Sequence, residues 1–362
     1  MNETTDILIT GSGAFAARIL FDLAATAQTP TRIAVAGRNA QRLAWLETAS
    51  RARAHMFARP ITIDAHVADL NSPDKVAGLL SNLRPSVILQ AASVQPGSVI
   101  SGQGNAWSKL VAAGGLSASA VFQAMLSARV ARASVEALPG VHFINACFPD
   151  VANSLIAAMG LPITCGIGNI QILAHAFGGA LPHAQSRELK VLAHYQNLAA
   201  WRRLPADRQG AGARVWLDDV EVSDVYSTFR GVQLTPEPVI DISGAAAAPL
   251  LLALAHRREW NGHAPGPEGL PGGYPVRVTA GHMTLDLPAG MTREAAIRWN
   301  VAHEDADGLV VDPQGRAHYS GRLHDELSVV SGELAKGFHV RDFDAVFAAM
   351  QQLRAKLAAR AV

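Results

Sequence analysis

The feature that most constrains the fold is a small-residue motif, Gly11-Ser12-Gly13-Ala14-Phe15-Ala16. An apolar run at 6–10 precedes it, as in a buried strand, and apolar residues at helical spacing follow it. In such a strand–turn–helix unit, the glycines permit a tight turn and close approach of a pyrophosphate, which the first helical amides then bind. The motif therefore predicts a dinucleotide site at Gly11, Ser12, Gly13, Ala14 and Phe15, with Ala16 allowing close packing of helix on strand.

The end of the second apolar segment indicates which dinucleotide is expected. It reads Gly37-Arg38-Asn39 and lacks the Asp or Glu that commonly holds the ribose 2′-hydroxyl of NAD. A guanidinium offers a fork of donors to a 2′-phosphate and a flat face to adenine, so Arg38, with Arg42 one helical turn later, favours NADP (NADPH). The other expected cofactor contacts are Gly37, Asn39, Asp69, Leu70, Ala92 and Ser93.

Strand-like and helix-like segments alternate over residues 6–92, and another buried strand is expected at 140–146. This alternation predicts a parallel sheet covered on both faces. Beyond about residue 160 the segments become longer and strand-like, and they are expected as strands at 164–174, 188–197, 214–225 and 274–287. The predicted fold class is α/β, a Rossmann-type parallel sheet domain plus a smaller α+β substrate and dimerisation domain.

The expected boundaries are 1–158 for the Rossmann domain and 159–335 for the α+β domain. An amphipathic helix over 342–360 is expected to pack back on the first domain. Residues 93–116 are rich in Gly and Ser and show no convincing regular element. A long loop after the fourth strand lies beside the expected nicotinamide site, so this segment is predicted to be a loop and a candidate lid.

Composition argues against several classes of partner. The 362 residues carry a formal net charge of +1 and no long run of Lys or Arg, which disfavours nucleic acid and membrane surfaces. Cys147 and Cys165 have no metal-ligand spacing, so no metal site is expected. The apolar stretches are broken before the roughly 18 residues of a membrane span, and the start lacks a signal-peptide pattern. We therefore expect a cytoplasmic protein with a small-molecule substrate.

Gly37-Arg38-Asn39 and the segment Cys147-Phe148-Pro149-Asp150-Val151-Ala152-Asn153 resemble the saccharopine dehydrogenase-like family of NADP-dependent oxidoreductases. In that family an Asp-Pro-Gly-type turn opens a helix beside the nicotinamide; here Phe148-Pro149-Asp150 stands there, with Asp in place of Gly. The resemblance implies hydride transfer to a C=N (imine) or C=O group of a small amino-acid-like or 2-oxo-acid-derived substrate. It also implies a homodimer. A looser resemblance connects the chain with opine-forming dehydrogenases.

Three side chains are candidates for proton transfer. On the predicted strand 188–197, His194 and Gln196 share a polar face with Lys190, and imidazole with a pKa near neutrality suits a proton donor. His175 is a second candidate. Asp150 is a third, although Asp at a turn is equally suited to capping a helix.

Substrate contacts are expected from Gln196 and from Arg202 or Arg203, because either arginine could bind a carboxylate through two hydrogen bonds. We therefore expect a carboxylate-bearing substrate. His303-Glu304-Asp305 is interpreted as a helix end, since no second histidine stands at a ligand spacing. A non-catalytic NADP sensor remains the alternative, and such a protein would not need a large polar-lined second domain.

Overall fold

A six-stranded parallel sheet forms the core of the N-terminal half in the computed structural model, which describes residues 4–95, 104–182, 187–235 and 237–360. The spatial order is 3-2-1-4-5-6. Because the order reverses between the first and fourth strands, their carboxyl ends border a crevice. The strands are β1 (Ile7–Thr10), β2 (Thr31–Gly37), β3 (Ile61–Val67), β4 (Val87–Gln90), β5 (His142–Asn145) and β6 (Cys165–Gly166).

Helices connect these strands and cover the sheet. They are α1 (Ala14–Thr26), α2 (Ala40–Met56), α3 (Pro73–Leu83), α4 (Ala106–Gly114), α5 (Ala120–Ala137), α6 (Val151–Ala158) and α7 (Asn169–Ala180). All four residues of β1 and all four residues of β4 are buried. This burial on both faces explains why continuous apolar runs marked these strands in the sequence. The predicted α/β class is confirmed.

The strands described in the C-terminal half form small antiparallel sheets. The first contains β7 (Leu189–Leu192), β8 (Arg214–Leu217) and β9 (Val220–Glu221). The second contains β10 (Trp260–Pro265), β11 (Gly273–Thr279) and β12 (His282–Leu285), and the third contains β13 (Leu309–Val311), β14 (Arg316–Tyr319) and β15 (Phe338–His339). A two-way backbone bridge between Ala193 and Gly273 joins the first of these sheets to the second.

The helices of this half are α8 (Leu198–Trp201), α9 (Val225–Thr228), α10 (Ile240–Ala255), α11 (Arg293–Asp307), α12 (Gly321–Val330), α13 (Gly332–Ala335) and α14 (Phe343–Ala358). Helix α10 packs directly on α1, and both contribute to one apolar core with β1 and β11. Helix α14 packs on α4 and α5, where Met350 is fully buried. Among the helices described, none is both long and apolar enough to cross a membrane.

Five expectations about individual elements are wrong. Two of them concern 214–225 and 274–287, which were each expected as one strand and are each a hairpin, β8–β9 and β11–β12. Residues 106–114 of the expected loop and lid at 93–116 form α4, which buries Trp107 and Leu110. Residues 96–103 of the same segment lie outside the described residues. The expected strand 164–174 is a two-residue strand followed by α7. The expected strand 188–197 ends at Leu192 and is followed by a 3₁₀ turn. Short apolar runs suit buried helices and buried strands equally, so periodicity alone did not separate them.

Candidate active site

The turn between β1 and α1 uses its two glycines in different ways. Gly11 has φ +127°, and a Cβ there would lie 2.9 Å from the Ala92 nitrogen, so the protein itself requires glycine. Gly13 has an ordinary φ of −71°, and a Cβ there would meet nothing within 4 Å. The second glycine therefore keeps open a space that the chain does not fill, as a pyrophosphate site requires.

The start of α1 leaves backbone donors for a ligand. Its N-cap is Gly13, no side chain in the described part of the chain caps it, and no acidic residue lies in its first turn. The first helical hydrogen bond runs from the Ala17 amide to the Gly13 carbonyl, so the preceding amides have no helical partner. Ala16 is buried against the sheet, whereas Ala14 is exposed and Phe15 is half-buried. This arrangement fits a dinucleotide pyrophosphate.

Arg38 and Arg42 differ in how they are held. Arg42 donates from Nε to the Ser12 carbonyl at 3.2 Å, and its guanidinium lies 4.7 Å from the Trp45 ring centroid. Arg38 is exposed beyond the end of β2 and makes no hydrogen bond to any described residue. Hydrogen bonds from Asn71, and secondarily the Arg38 charge, lower the pKa of Asp69. Arg42 therefore braces the glycine turn, and Arg38 keeps its donors available.

The other expected cofactor residues lie around the same crevice, though some are already engaged. Asn39 caps α2 by accepting from the Arg42 amide at 2.9 Å. The Leu70 side chain belongs to the core beneath the sheet, which leaves only its backbone near the crevice. The Ser93 hydroxyl donates to the Gln95 carbonyl, and Ala92 accepts from the Gln90 side chain at 2.7 Å. Gly37 lies directly beneath Ser12.

A buried amide fixes the turn after β5. The Asn145 side chain donates to the Cys147 carbonyl at 3.2 Å and to Asn153 Oδ1 at 2.8 Å. Its Oδ1 accepts from the Ser127 hydroxyl at 2.9 Å and from the Cys147 amide at 3.1 Å. These bonds link β5, α5 and α6, so the position of the following residues is set by a fully bonded side chain. Sequence reasoning missed Asn145 and Asn153.

Asp150 lies at the end of this turn, buried and only partly hydrogen-bonded. Its Oδ1 accepts from Asn169 Nδ2 at 2.6 Å, and its Oδ2 has no partner among the described residues. It does not cap α6 through its side chain, so the capping alternative is not observed. Burial, and then the charge of Glu304, raises the pKa of Asp150 to about 8. At neutral pH the group is a carboxylic acid and can donate a proton.

His194 differs from the expected neutral-pH proton donor. Its Nδ1 accepts from the Gln196 amide at 3.3 Å, so Nε2 carries the hydrogen of the neutral ring. Burial lowers the pKa of His194 to about 4. The expectation of a pKa near neutrality is therefore wrong, because desolvation outweighs the neighbouring carboxylate. His194 is a hydrogen-bond donor whose Nε2 lies 3.7 Å from Glu304 Oε1.

Glu304 and Asp307, on α11, complete what we call the acid–imidazole group: Asp150, His194, Tyr195, Glu304 and Asp307. Burial, and then Asp307, raises the pKa of Glu304 to about 8, although Oε1 accepts from the Gly272 amide at 3.3 Å. Asp307 accepts from Gln196 Nε2 at 3.1 Å and from the Ser117 hydroxyl. The interpretation of His303-Glu304-Asp305 as a helix end was correct, but it missed that the carboxyl groups of Glu304 and Asp307 belong to this group. Their three-residue spacing, which puts two side chains on one face of a helix, was the available signal.

Of the remaining predicted site residues, one contacts the acid–imidazole group and three lie outside its described contacts. Gln196 contacts the acid–imidazole group by donating a hydrogen bond to Asp307. His175 is exposed on α7, and the described contacts of the group do not include it. Arg202 and Arg203 are exposed after α8 and likewise stand outside those contacts. No set of three or more His, Cys, Asp and Glu in the described part of the chain is arranged to hold a metal ion.

The strand order, the glycine turn and the crevice define a Rossmann-type α/β fold with a second, mixed half. No protein-family model matches the chain, and no curated protein sequence matches it. Similar solved structures include malate dehydrogenase from Archaeoglobus fulgidus in complex with NADH, with a TM-score of 0.54 and 14% identity over 82% of this chain and 96% of that one.

Lactate dehydrogenase from Eimeria maxima with NADH and oxamate gives a TM-score of 0.52 and 12% identity over 84% of this chain and 94% of that one. Malate dehydrogenase from Picrophilus torridus gives a TM-score of 0.53 and 12% identity over 84% of this chain and 96% of that one. At such identities the likeness shows a shared fold. The saccharopine dehydrogenase resemblance stays a prediction.

Proposed function

We propose that this protein is an NADP-dependent oxidoreductase that transfers hydride to a C=O or C=N group of a small molecule. One observation carries the proposal: the open glycine turn after β1 and Asp150, the member of the acid–imidazole group that follows β5, lie at the carboxyl edge of one sheet. In open α/β sheets this edge is where ligands bind. We assign cofactor binding to residues 1–158 and the remaining substrate groups to 159–335.

The cofactor would be held by residues whose geometry suits a phosphorylated dinucleotide. The amides that begin α1 suit its pyrophosphate, and the free guanidinium of Arg38 suits a 2′-phosphate. NADPH, when bound, supplies the hydride. The structures of similar fold that contain NADH support a nicotinamide cofactor, and Arg38 is the support for the phosphorylated form.

Asp150 is the proposed proton donor, and His194 the proposed hydrogen-bond donor to the substrate. Asp150 is protonated at neutral pH and has a partnerless oxygen. His194 directs its only free hydrogen towards the same group of residues. A general acid works best with a pKa near the working pH, which Asp150 has and His194 does not. The family resemblance adds a homodimer to the proposal.

A sensor that binds NADP without chemistry would have no use for two desolvated carboxyl groups, and burial of such groups is costly. The acid–imidazole group therefore favours an enzyme. Incubation of NADPH with the protein and candidate 2-oxo acids, ketones and cyclic imines distinguishes the two. A sensor would leave the nucleotide reduced.

The decisive experiment compares affinities for NADPH and NADH by fluorescence titration. We expect the parent to bind NADPH more tightly by about 10- to 100-fold, since a charge-assisted phosphate contact is worth roughly 1.5–3 kcal/mol. Arg38→Ala should reduce the ratio to near unity, whereas Arg132→Ala, an exposed change on α5, should not alter it. Preference of the parent for NADH would overturn the assignment of NADP.

A further inference from the structure

The electrostatic effects that other ionisable residues exert on the acid–imidazole group come from carboxyl groups. Those that shift the pKa values of Asp150 and Tyr195 come from Glu304 and Asp307, and Asp307 also acts on His194 and Glu304. Across the described part of the chain, no Lys or Arg contributes to any of these shifts. A substrate carboxylate placed here would meet carboxyl groups and no cation. Such a charge would be desolvated without compensation, which is strongly unfavourable.

The polar atoms of the group that lack a partner would be satisfied by a ligand that both accepts and donates hydrogen bonds. His194 Nε2 carries a hydrogen because Nδ1 is occupied by the Gln196 amide, so it can only donate. Asp150 Oδ2 is buried without a partner among the described residues. The Tyr195 hydroxyl lies close enough to Asp307 for the two to interact. An ammonium or a protonated imine has no lone pair to offer His194. A carbonyl or hydroxyl oxygen does.

We propose that the substrate is a neutral compound with oxygens on adjacent carbons, a polyol or the corresponding hydroxyketone. The reacting oxygen accepts from His194 Nε2, and the neighbouring hydroxyl donates to Glu304, whose Oε1 lies only 3.7 Å from that nitrogen. This assignment rests on the proposed oxidoreductase function and chooses C=O over C=N. It also replaces the carboxylate-bearing substrate that Arg202 and Arg203 suggested, because both arginines are exposed outside the group.

The reaction balances with the groups named. In reduction, hydride from NADPH forms a C–H bond at the carbonyl carbon, and the C=O π bond breaks. The oxygen takes the proton of the Asp150 carboxyl, so the products are a secondary alcohol, NADP⁺ and the Asp150 carboxylate. Solvent then returns a proton to Asp150. The ketone gains two electrons and the nicotinamide loses two, and the oxidation of a polyol is the same sequence reversed.

The test uses the NADP⁺-loaded full chain and calorimetric binding of two matched sets of probes. Glycerol, sorbitol and myo-inositol represent neutral polyols, and L-lactate and L-malate represent 2-hydroxy acids. We expect at least one polyol to bind, and to be oxidised, at least about 100-fold better than either acid, as about 2.7 kcal/mol of discrimination gives. Tighter binding of an acid, or failure of every polyol to bind, would overturn the inference.

Variants separate the role of the group from general damage. Glu304→Gln should weaken polyol binding at least about tenfold and leave NADPH affinity unchanged, whereas Glu294→Gln, exposed on the same helix, should change neither. Tyr195→Phe removes only a hydroxyl and provides a second variant should Glu304→Gln fail to fold. An unchanged polyol affinity in each variant that folds would count against the proposal. NADPH affinity is measured first, so failure of the proposed function appears as absent nucleotide binding and is distinct from a wrong substrate class.

Discussion

Two buried carboxyl groups, Asp150 and Glu304, make stability depend on pH in an unusual direction. Their ordinary pKa values are 3.8 and 4.5, and burial raises both to about 8 in the folded protein. Between these limits the folded state holds more protons than the unfolded state. The free energy of unfolding therefore decreases as pH rises through roughly 4 to 8, and the loss is complete above the folded pKa.

Asp150→Asn and Glu304→Gln should each flatten this dependence. Because the amides cannot ionise, each variant should have a melting temperature at least about 3 °C above that of the parent at about pH 8, with a smaller difference at about pH 5. Thermal unfolding across this pH range measures the effect, with Glu294→Gln as the exposed control. A parent that gains stability towards pH 8 would contradict the assignment of raised pKa values.

Asn145 should be as important for stability as a large core residue, since its side chain makes four hydrogen bonds in a buried position. Asn145→Ala leaves the Cys147 amide and Asn153 without partners, at an expected cost of about 2–4 kcal/mol in the free energy of unfolding. Ser127→Ala removes only one bond of the Asn145 network, the one to Oδ1, and should cost about 1 kcal/mol. Denaturant unfolding distinguishes them, and equal effects would argue against the network.

Which individual residues were predictable follows from how local their signal is. Arg38 could be singled out because it lies at the end of β2, next to the glycine turn; its role in binding NADP stays a prediction. Asn145 and Glu304 could not be singled out, because their roles depend on partners from distant elements, such as Ser127 and Gly272. The pKa of His194 was mispredicted for the same reason, since the burial that lowers it is a tertiary property.

The β1–α1 turn offers a matched pair of glycine substitutions. Gly13→Val enters open space at an allowed φ, so we expect a change of less than about 1 kcal/mol in stability but loss of NADPH binding, because the side chain fills the pyrophosphate space. Gly11→Ala is strained at φ +127° and meets the Ala92 nitrogen, so it should cost about 1–3 kcal/mol. Calorimetry and nucleotide titration measure both. Intact NADPH binding in Gly13→Val would place the cofactor elsewhere.

Among the elements, those with long, regular patterns were predicted and those set by tertiary contacts were not. The strands β1 to β5 follow from apolar runs, and α14 follows from its amphipathic stripe, within two residues at each end. Helix α4 was missed because neighbouring glycines suggested a loop, yet packing of Trp107 and Leu110 stabilises it. Strand β7 ends before its predicted limit because a 3₁₀ turn, which His194 caps, follows it and leads to the acid–imidazole group.

At the level of the whole molecule, the last helix secures the first half of the chain. Met350 of α14 is fully buried in one core with Trp107 of α4 and Phe122 of α5. Met350→Ala should therefore cost about 2–5 kcal/mol and lower the melting temperature of a single transition. Gln351→Ala, exposed on the same helix, should cost less than about 0.5 kcal/mol. A separate early transition in Met350→Ala would mean that α14 unfolds independently.

The short segment Gly272–Gly273 positions two residues of the proposed active site, Glu304 and His194. The Gly272 amide binds Glu304, and Gly273 exchanges backbone hydrogen bonds with Ala193, next to His194. Neither glycine offers a side chain to a substrate, yet a displacement of this one peptide would move an acid and an imidazole together. Substitutions at this junction would thus change the alignment of Glu304 and His194, and with it the catalytic rate, without replacing any side chain that touches the reacting molecule.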